Sequence, residues 1–309
     1  MKSEKLSPRQ LAVAVMVGGL SAGAAAAGRA DWRWLLAGAP IGMLVGWGLL
    51  RRVGRRPLRP ALRVVYGAWG VVLLADVLRR TAERVQAASG NRESTGWVLA
   101  LLALPLIWMG WGKAAAFFRA AEIFWLGLLV TVGAILLLGL PRVEWRWVME
   151  PAGSWWESVL AGANVLSAGL FALPQLYKVE EEPGGTHRGL IWLGALGLLS
   201  AGLGLLTAGL LSPAVAARVD APFFAAAGLL GDSARLEGLV SALWLLPDLT
   251  LAGLLAHAWG ERRLPALAAA AALGLALTGI TERLPGIAAP VGSLILVVLT
   301  ALTPPDGKK

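Results

Sequence analysis

The chain has 309 residues, 57% hydrophobic and 15% charged, with a mean hydropathy of +0.67 and apolar runs recurring along its length; this excludes a soluble globular class and reads as one polytopic membrane domain over residues 1–309. The formal charge of +9 comes from 28 basic and 19 acidic residues, but the basic ones stand in short loops between apolar runs, where they act as topology signals beside a lipid bilayer and imply no nucleic acid. There is no cysteine, and the two histidines, His187 and His257, are far apart, so thiol chemistry, metal-ligand clusters and cofactor enzymology find no support, nor is there a nucleotide loop or an activated nucleophile.

Ten spans are predicted, at about 10–28, 32–50, 61–78, 96–112, 120–140, 158–177, 189–212, 236–259, 264–281 and 285–303. Lys2, Lys5 and Arg9 before the first span resemble a secretory leader. Nineteen apolar residues with a central glycine cluster read instead as a retained span. With the N-terminus in the cytoplasm, 17 Lys and Arg fall in cytoplasmic segments against 11 outside, which places both termini in the cytoplasm. The loop carrying Arg51, Arg52, Arg55, Arg56, Arg59 and Arg63 supplies most of that bias and serves as an orientation anchor.

The first span, Gln10 to Gly28, carries Gly18, Gly19 and Gly23 with Ser21 as its one polar side chain past the start. Glycine weakens a helix, so this span reads as a broken helix whose freed amides meet a ligand. The same spacing of small residues four apart equally suits close helix packing with no ligand. In the second span Gly38, Gly42 and Gly46 form a packing stripe, and Ser200, Gly204 and Ala208 repeat it in the seventh. Asp76 with Arg79 and Arg80, and Arg119 with Glu122, read as structural ion pairs. Trp32, Trp34, Trp145, Trp147, Trp155 and Trp156 cluster near span ends as an interfacial belt.

An odd number of spans per half places two related halves upside down to one another, here about 8–140 and 158–303. The sixth span, like the first, is interrupted by polar and small residues: Gly162, Asn164, Ser167 and Gly169. Weakened helices at matching positions in two halves point to a binding site near the bilayer midplane. Asp248 follows Pro247 in the eighth span. A carboxylate beside a proline kink either binds a proton or sodium ion or is a buried structural group. The long segment Pro213 to Ala234, with its apolar patch Phe223–Leu230, reads as a re-entrant cover over the site or as an interfacial helix.

Three short stretches carry a resemblance. EKLSPRQL (Glu4 to Leu11), GWGKAAAFFRAAEI with Gly112, Arg119 and Glu122, and ARLEGLVSALW with Arg235, Glu237 and Trp244 resemble, in place and kind, segments of the spore germination permease family. This GerAB-type family supplies the integral membrane subunit of germinant receptors. The family belongs to the amino acid/polyamine/organocation transporter superfamily. The resemblance therefore implies an all-α LeuT-type fold of ten transmembrane helices, a five-plus-five inverted repeat with broken helices 1 and 6. It implies a site between those helices, where Gly18, Gly19 and Gly23 amides meet a carboxylate and Ser21, Asn164, Ser167 and Gly169 line the ligand. It further implies a small-molecule germinant, an amino acid, with A-type and C-type receptor subunits as partners at the spore inner membrane. A secondary amino acid transporter using Asp248 for ion coupling, and a scaffold subunit that binds nothing, are the alternative functions.

Overall fold

The computed structural model describes residues 7–50, 60–89, 95–171, 185–231, 235–259, 263–280 and 288–302. The arginine-rich loop 51–59, the tail of the sixth predicted span and the side chains of Ser167, His187 and Arg235 lie outside the described residues.

Helix begins where the sequence supplies a cap. Ser7 accepts a hydrogen bond from the Gln10 amide while the Gln10 side chain accepts from the Ser7 amide, and Pro8 sits in the first turn, where its missing N–H is no loss. Part of the EKLSPRQL stretch is thus a capping box that starts α1 (Pro8–Ala26). The chain continues through α2 (Trp32–Leu50), α3 (Pro60–Ser89), α4 (Thr95–Trp111), α5 (Ala114–Gly139) and a 3-10 turn at Leu140–Arg142 to the short α6 (Trp145–Val148). After these come α7 (Trp155–Leu170), α8 (Gly185–Leu211), the short α9 (Pro213–Ala216) and α10 (Pro222–Gly228), α11 (Arg235–Leu243), α12 (Leu245–His257), α13 (Leu264–Leu277) and α14 (Ala288–Leu302). Helix occupies the middle of every predicted span. Among the described residues Arg9–Ala26, Ala114–Arg142, Gly189–Leu211 and Leu236–His257 are each long and apolar enough to cross a membrane.

Two expectations are corrected here. Neither α1 nor the described part of the sixth span is broken: α1 runs through Gly18, Gly19 and Gly23, and α7 through Gly162, Asn164 and Gly169, without interruption. The glycines are contact points. A Cβ at Gly18 would lie 3.2 Å from the Leu251 Cα in α12, one at Gly23 would lie 2.5 Å from Ser200 Oγ in α8, and one at Gly19 would strike Leu196. Gly169 abuts the Val15 carbonyl, 2.8 Å from where its Cβ would stand. A helix weakened by about 1 kcal/mol per glycine is restored by the packing that the missing side chains permit.

The stripe on α2 is used in the same way. Gly38 and Gly42 face Val159, Ala163 and Leu166 of α7, and Gly162 of α7 returns the contact against the Leu35 carbonyl. Among the described residues this is the most extensive helix–helix contact. The Gly204 position of the α8 stripe faces Trp32, so α1, α2, α7 and α8 form one closely packed block.

Around that block several contacts recur between the two halves, although the close packing of α1 on α12 is not matched by α7 on α3 among the described residues. As α1 packs on α5, α7 packs on α14; as α2 packs on α14, α8 packs on α5; as α3 packs on α4, α12 packs on α13. In addition α1 meets α7, α2 meets α8, α3 meets α12 and α4 meets α13. The core follows these seams, and α12 is buried over nearly its whole length, from Pro247 through Asp248 to His257.

The turn between α1 and α2 is fixed by charge. Asp31 is 3% exposed; its carboxylate accepts from the Arg33 amide (3.0 Å) and from Arg33 Nε (3.0 Å) and Nη2 (2.7 Å), while its own amide donates to Ser158 Oγ in α7 (3.0 Å). Burial pushes the Asp31 carboxyl upward, but the Arg33 hydrogen bonds and charge, with the Ala152 amide, outweigh it and hold the carboxyl below its usual range. Gly28 completes the turn at φ +80°, where a side chain would also strike Thr207 and Pro222.

Two measurements follow from this packing. Gly162→Ala forces a methyl against backbone and is expected to cost about 1–3 kcal/mol in detergent unfolding; Gly127→Ala, whose Cβ would meet nothing within 4 Å, is expected to be neutral or stabilising. Asp31→Ala removes a helix cap and is expected to cost about 1–2 kcal/mol at neutral pH. A carboxyl whose pKa is lowered on folding contributes fully above its unfolded value near pH 4 and progressively less below it. The melting temperatures of wild type and Asp31→Ala should therefore converge as the pH is lowered through the folded-state pKa.

Candidate functional site

Charged groups in the middle of a helical membrane protein persist only with partners, and here three helices bring them together. Ser21 projects from α1 and its Oγ donates to Asp248 Oδ1 in α12 at 2.5 Å. Arg84 of α3 places Nη1 2.5 Å from Asp248 Oδ2. Asp248 is 4% and Arg84 8% exposed. Nη1 and Oδ2 form a buried ion pair.

Helical geometry explains how an arginine reaches this depth. The third span was expected to end near residue 78, before the charges; α3 instead continues to Ser89. Val77, Thr81 and Arg84 recur on one face, and that face is the buried one. The other charges of this stretch pair along the helix, Arg80 with Asp76 at 2.6 Å, as the spacing of Asp76 implied, and Arg79 with Glu83 at 2.8 Å, while Arg79 also donates to the Ala276 carbonyl of α13 at 3.3 Å. Arg84 was not singled out by sequence; the apolar periodicity carried two turns past the hydrophobic run was the available signal.

The eighth span divides at Trp244 into α11 and α12. Pro247 lies in the first turn of α12 and has no amide to donate to the Leu243 carbonyl. Trp244 is fully buried, and its indole Nε1 has no acceptor among the described residues. The cover over this point is α10. Phe223 packs tilted and Phe224 edge-on against Trp244, with ring centroids 4.7 and 6.0 Å away, and the Phe224 ring centroid lies 4.6 Å from the Arg84 guanidinium carbon. The Arg142 side chain donates to the Leu229 carbonyl at 2.9 Å and holds the far end of α10 in place. Phe223, Phe224, Ala226, Ala227 and Leu230 of the apolar patch are buried and Leu229 is exposed, so α10 turns its apolar side inward with Phe224 against Arg84, as the cover reading expects.

The expected ligand residues fall into separate places. Ser21 joins Asp248. Gly18, Gly19 and Gly23 lie in continuous helix, so their amides are committed to the backbone and are not free for a carboxylate. Asn164 is half-buried within α7, and Gly169 faces the α1 backbone. Asp248 is paired on both oxygens, Oδ1 by the Ser21 hydroxyl and Oδ2 by the Arg84 guanidinium.

At the opposite end of the helix pair, His257 packs against Phe117 with ring centroids 5.1 Å apart, and Tyr66 stacks on Phe171 at 4.1 Å. These aromatic contacts close the core there. The tryptophans Trp34, Trp145, Trp155 and Trp156 remain exposed, as a belt requires.

No protein-family model and no curated protein matches the sequence. Among solved structures the chain is similar to Mhp1, a nucleobase-cation-symport-1 family transporter, in a closed conformation with bromovinylhydantoin bound. The TM-score is 0.64 over 96% of this chain and 76% of that one, at 12% sequence identity. The likeness is one of fold. With its apolar helices, it makes this chain an integral membrane protein with a transporter fold.

Removing one partner of a buried ion pair strands the other. Asp248→Ala and Arg84→Leu are each expected to cost about 3–5 kcal/mol, and the double variant less than their sum, in a double-mutant cycle of detergent unfolding.

Proposed function

We propose that this chain is the permease-like membrane subunit of a germinant receptor and senses a small solute, an amino acid, in spore germination. The observation that carries the reading is the Ser21–Asp248–Arg84 cluster, which joins α1, α3 and α12 beneath α10 inside a transporter fold. The three sequence stretches that resemble the germination permeases support the particular family. The reciprocal contacts between halves support ten crossings arranged as two inverted repeats, about 8–140 and 158–303, with both termini cytoplasmic. A-type and C-type receptor subunits are the partners in this reading, and the spore inner membrane its location.

A sensor needs only a solute that binds two conformations unequally; no net transport is required. The Arg84–Asp248 contact favours this over the alternative of an ion-coupled amino acid carrier. An internal guanidinium neutralises the carboxylate, so no free ion is needed to balance it. The carrier reading draws instead on the likeness to a cation symporter.

Purified protein in liposomes separates the readings. Amino-acid-dependent thermal stabilisation without accumulation of label, and co-purification with A-type and C-type subunits, are the expected results. Accumulation driven by a proton or sodium gradient would establish the carrier instead. Neither stabilisation nor uptake would leave a scaffold subunit.

A further inference from the structure

The Arg84 guanidinium is used along one edge only. Nη1 faces Asp248, while Nε and Nη2 are buried and have no acceptor among the described residues. These two nitrogens form the side edge of the fork, where two parallel N–H bonds match the two oxygens of a carboxylate. The same protein shows that edge filled. Arg33 directs Nε and Nη2 at the two oxygens of Asp31, at 3.0 and 2.7 Å. The Phe224 ring centroid lies 4.6 Å from the Arg84 guanidinium carbon, and the Nε and Nη2 edge, though buried, is left without an acceptor among the described residues. Two charged donors kept dry and unpaired are costly, and each such group in a folded protein calls for a partner.

Charge balance narrows the partner. Arg84 and Asp248 together are neutral, so a plain anion at the empty edge would leave a net negative charge in a buried site. A solute carrying its own ammonium avoids this, and Asp248 Oδ2, which Arg84 Nη1 meets at 2.5 Å, keeps a second lone pair as an acceptor for it. We propose that Arg84 is the carboxylate clamp of a site for a small zwitterion, with the ligand carboxylate on the Nε/Nη2 edge and its ammonium on Asp248. This rests on the reading of the chain as a solute-binding permease-like subunit and assigns the binding to side chains of α3 and α12. The α1 amides take no part.

The test compares three chemical trios on the purified full chain by thermal shift and equilibrium binding. They are alanine, propionate and ethylamine; leucine, 4-methylpentanoate and isopentylamine; and phenylalanine, 3-phenylpropionate and phenethylamine. At least one zwitterion is expected to bind, at least tenfold more tightly than its deaminated or decarboxylated counterpart. Arg84→Lys keeps a cation beside Asp248 but loses the fork, and is expected to weaken that zwitterion at least tenfold. An unchanged affinity in a folded Arg84→Lys protein overturns the clamp while leaving solute binding intact. An amine bound as tightly as its amino acid also overturns it, and needs no variant. If no member of any trio binds the wild-type chain, the clamp falls together with the solute-binding reading.

Discussion

In hydrocarbon a peptide group that leaves its helix has no water to turn to, and this constraint governs how the glycines of the chain are used. A glycine-rich segment in water frays; in a packed bundle its backbone bonds hold and its missing side chains become room for a neighbour. That is what happens along α1, where successive glycines admit α12 and α8, and along the α2–α7 seam, where both helices contribute glycine. The four helices so joined form a rigid block. The site is then built from side chains, because the main chain has nothing left to offer.

The sequence placed the helices well because membrane spans are long apolar runs and the rule that finds them is nearly independent of tertiary context. Asp248 and Ser21 could be picked out because a lone polar group in such a run is conspicuous. Arg84 could not. It lies beyond the hydrophobic stretch, among Asp76, Arg79, Arg80 and Glu83, where a charged helix end on the surface is the natural reading. Only the continued helical register, with Thr81 and Ala82 also buried, shows that one side of this charged segment faces the core. The break expected in α1 misled for a related reason. Glycine content alone does not distinguish a helix that opens from one that is approached closely, and the difference lies in what Leu251, Leu196 and Ser200 do on other helices.

The buried carboxylate of this transporter fold is also balanced from within. A carboxylate inside a helical membrane protein needs a cation or a proton, and for Asp248 a guanidinium of the same chain is in contact with it. In the reading proposed above, that fixed partner lets the pair meet a solute with no separate ion to balance the carboxylate.

The aromatic cover has a thermodynamic corollary. Phe224 rests on the same guanidinium that faces Asp248, so lifting α10 exposes the Arg84 charge to water and loosens the contact with the carboxylate in one motion. Whatever satisfies that cation from inside shifts the balance between covered and uncovered forms, and by reciprocity the covered form must hold its occupant more tightly by an equal factor. In the proposed clamp, surface accessibility of α10 would thus read out occupancy.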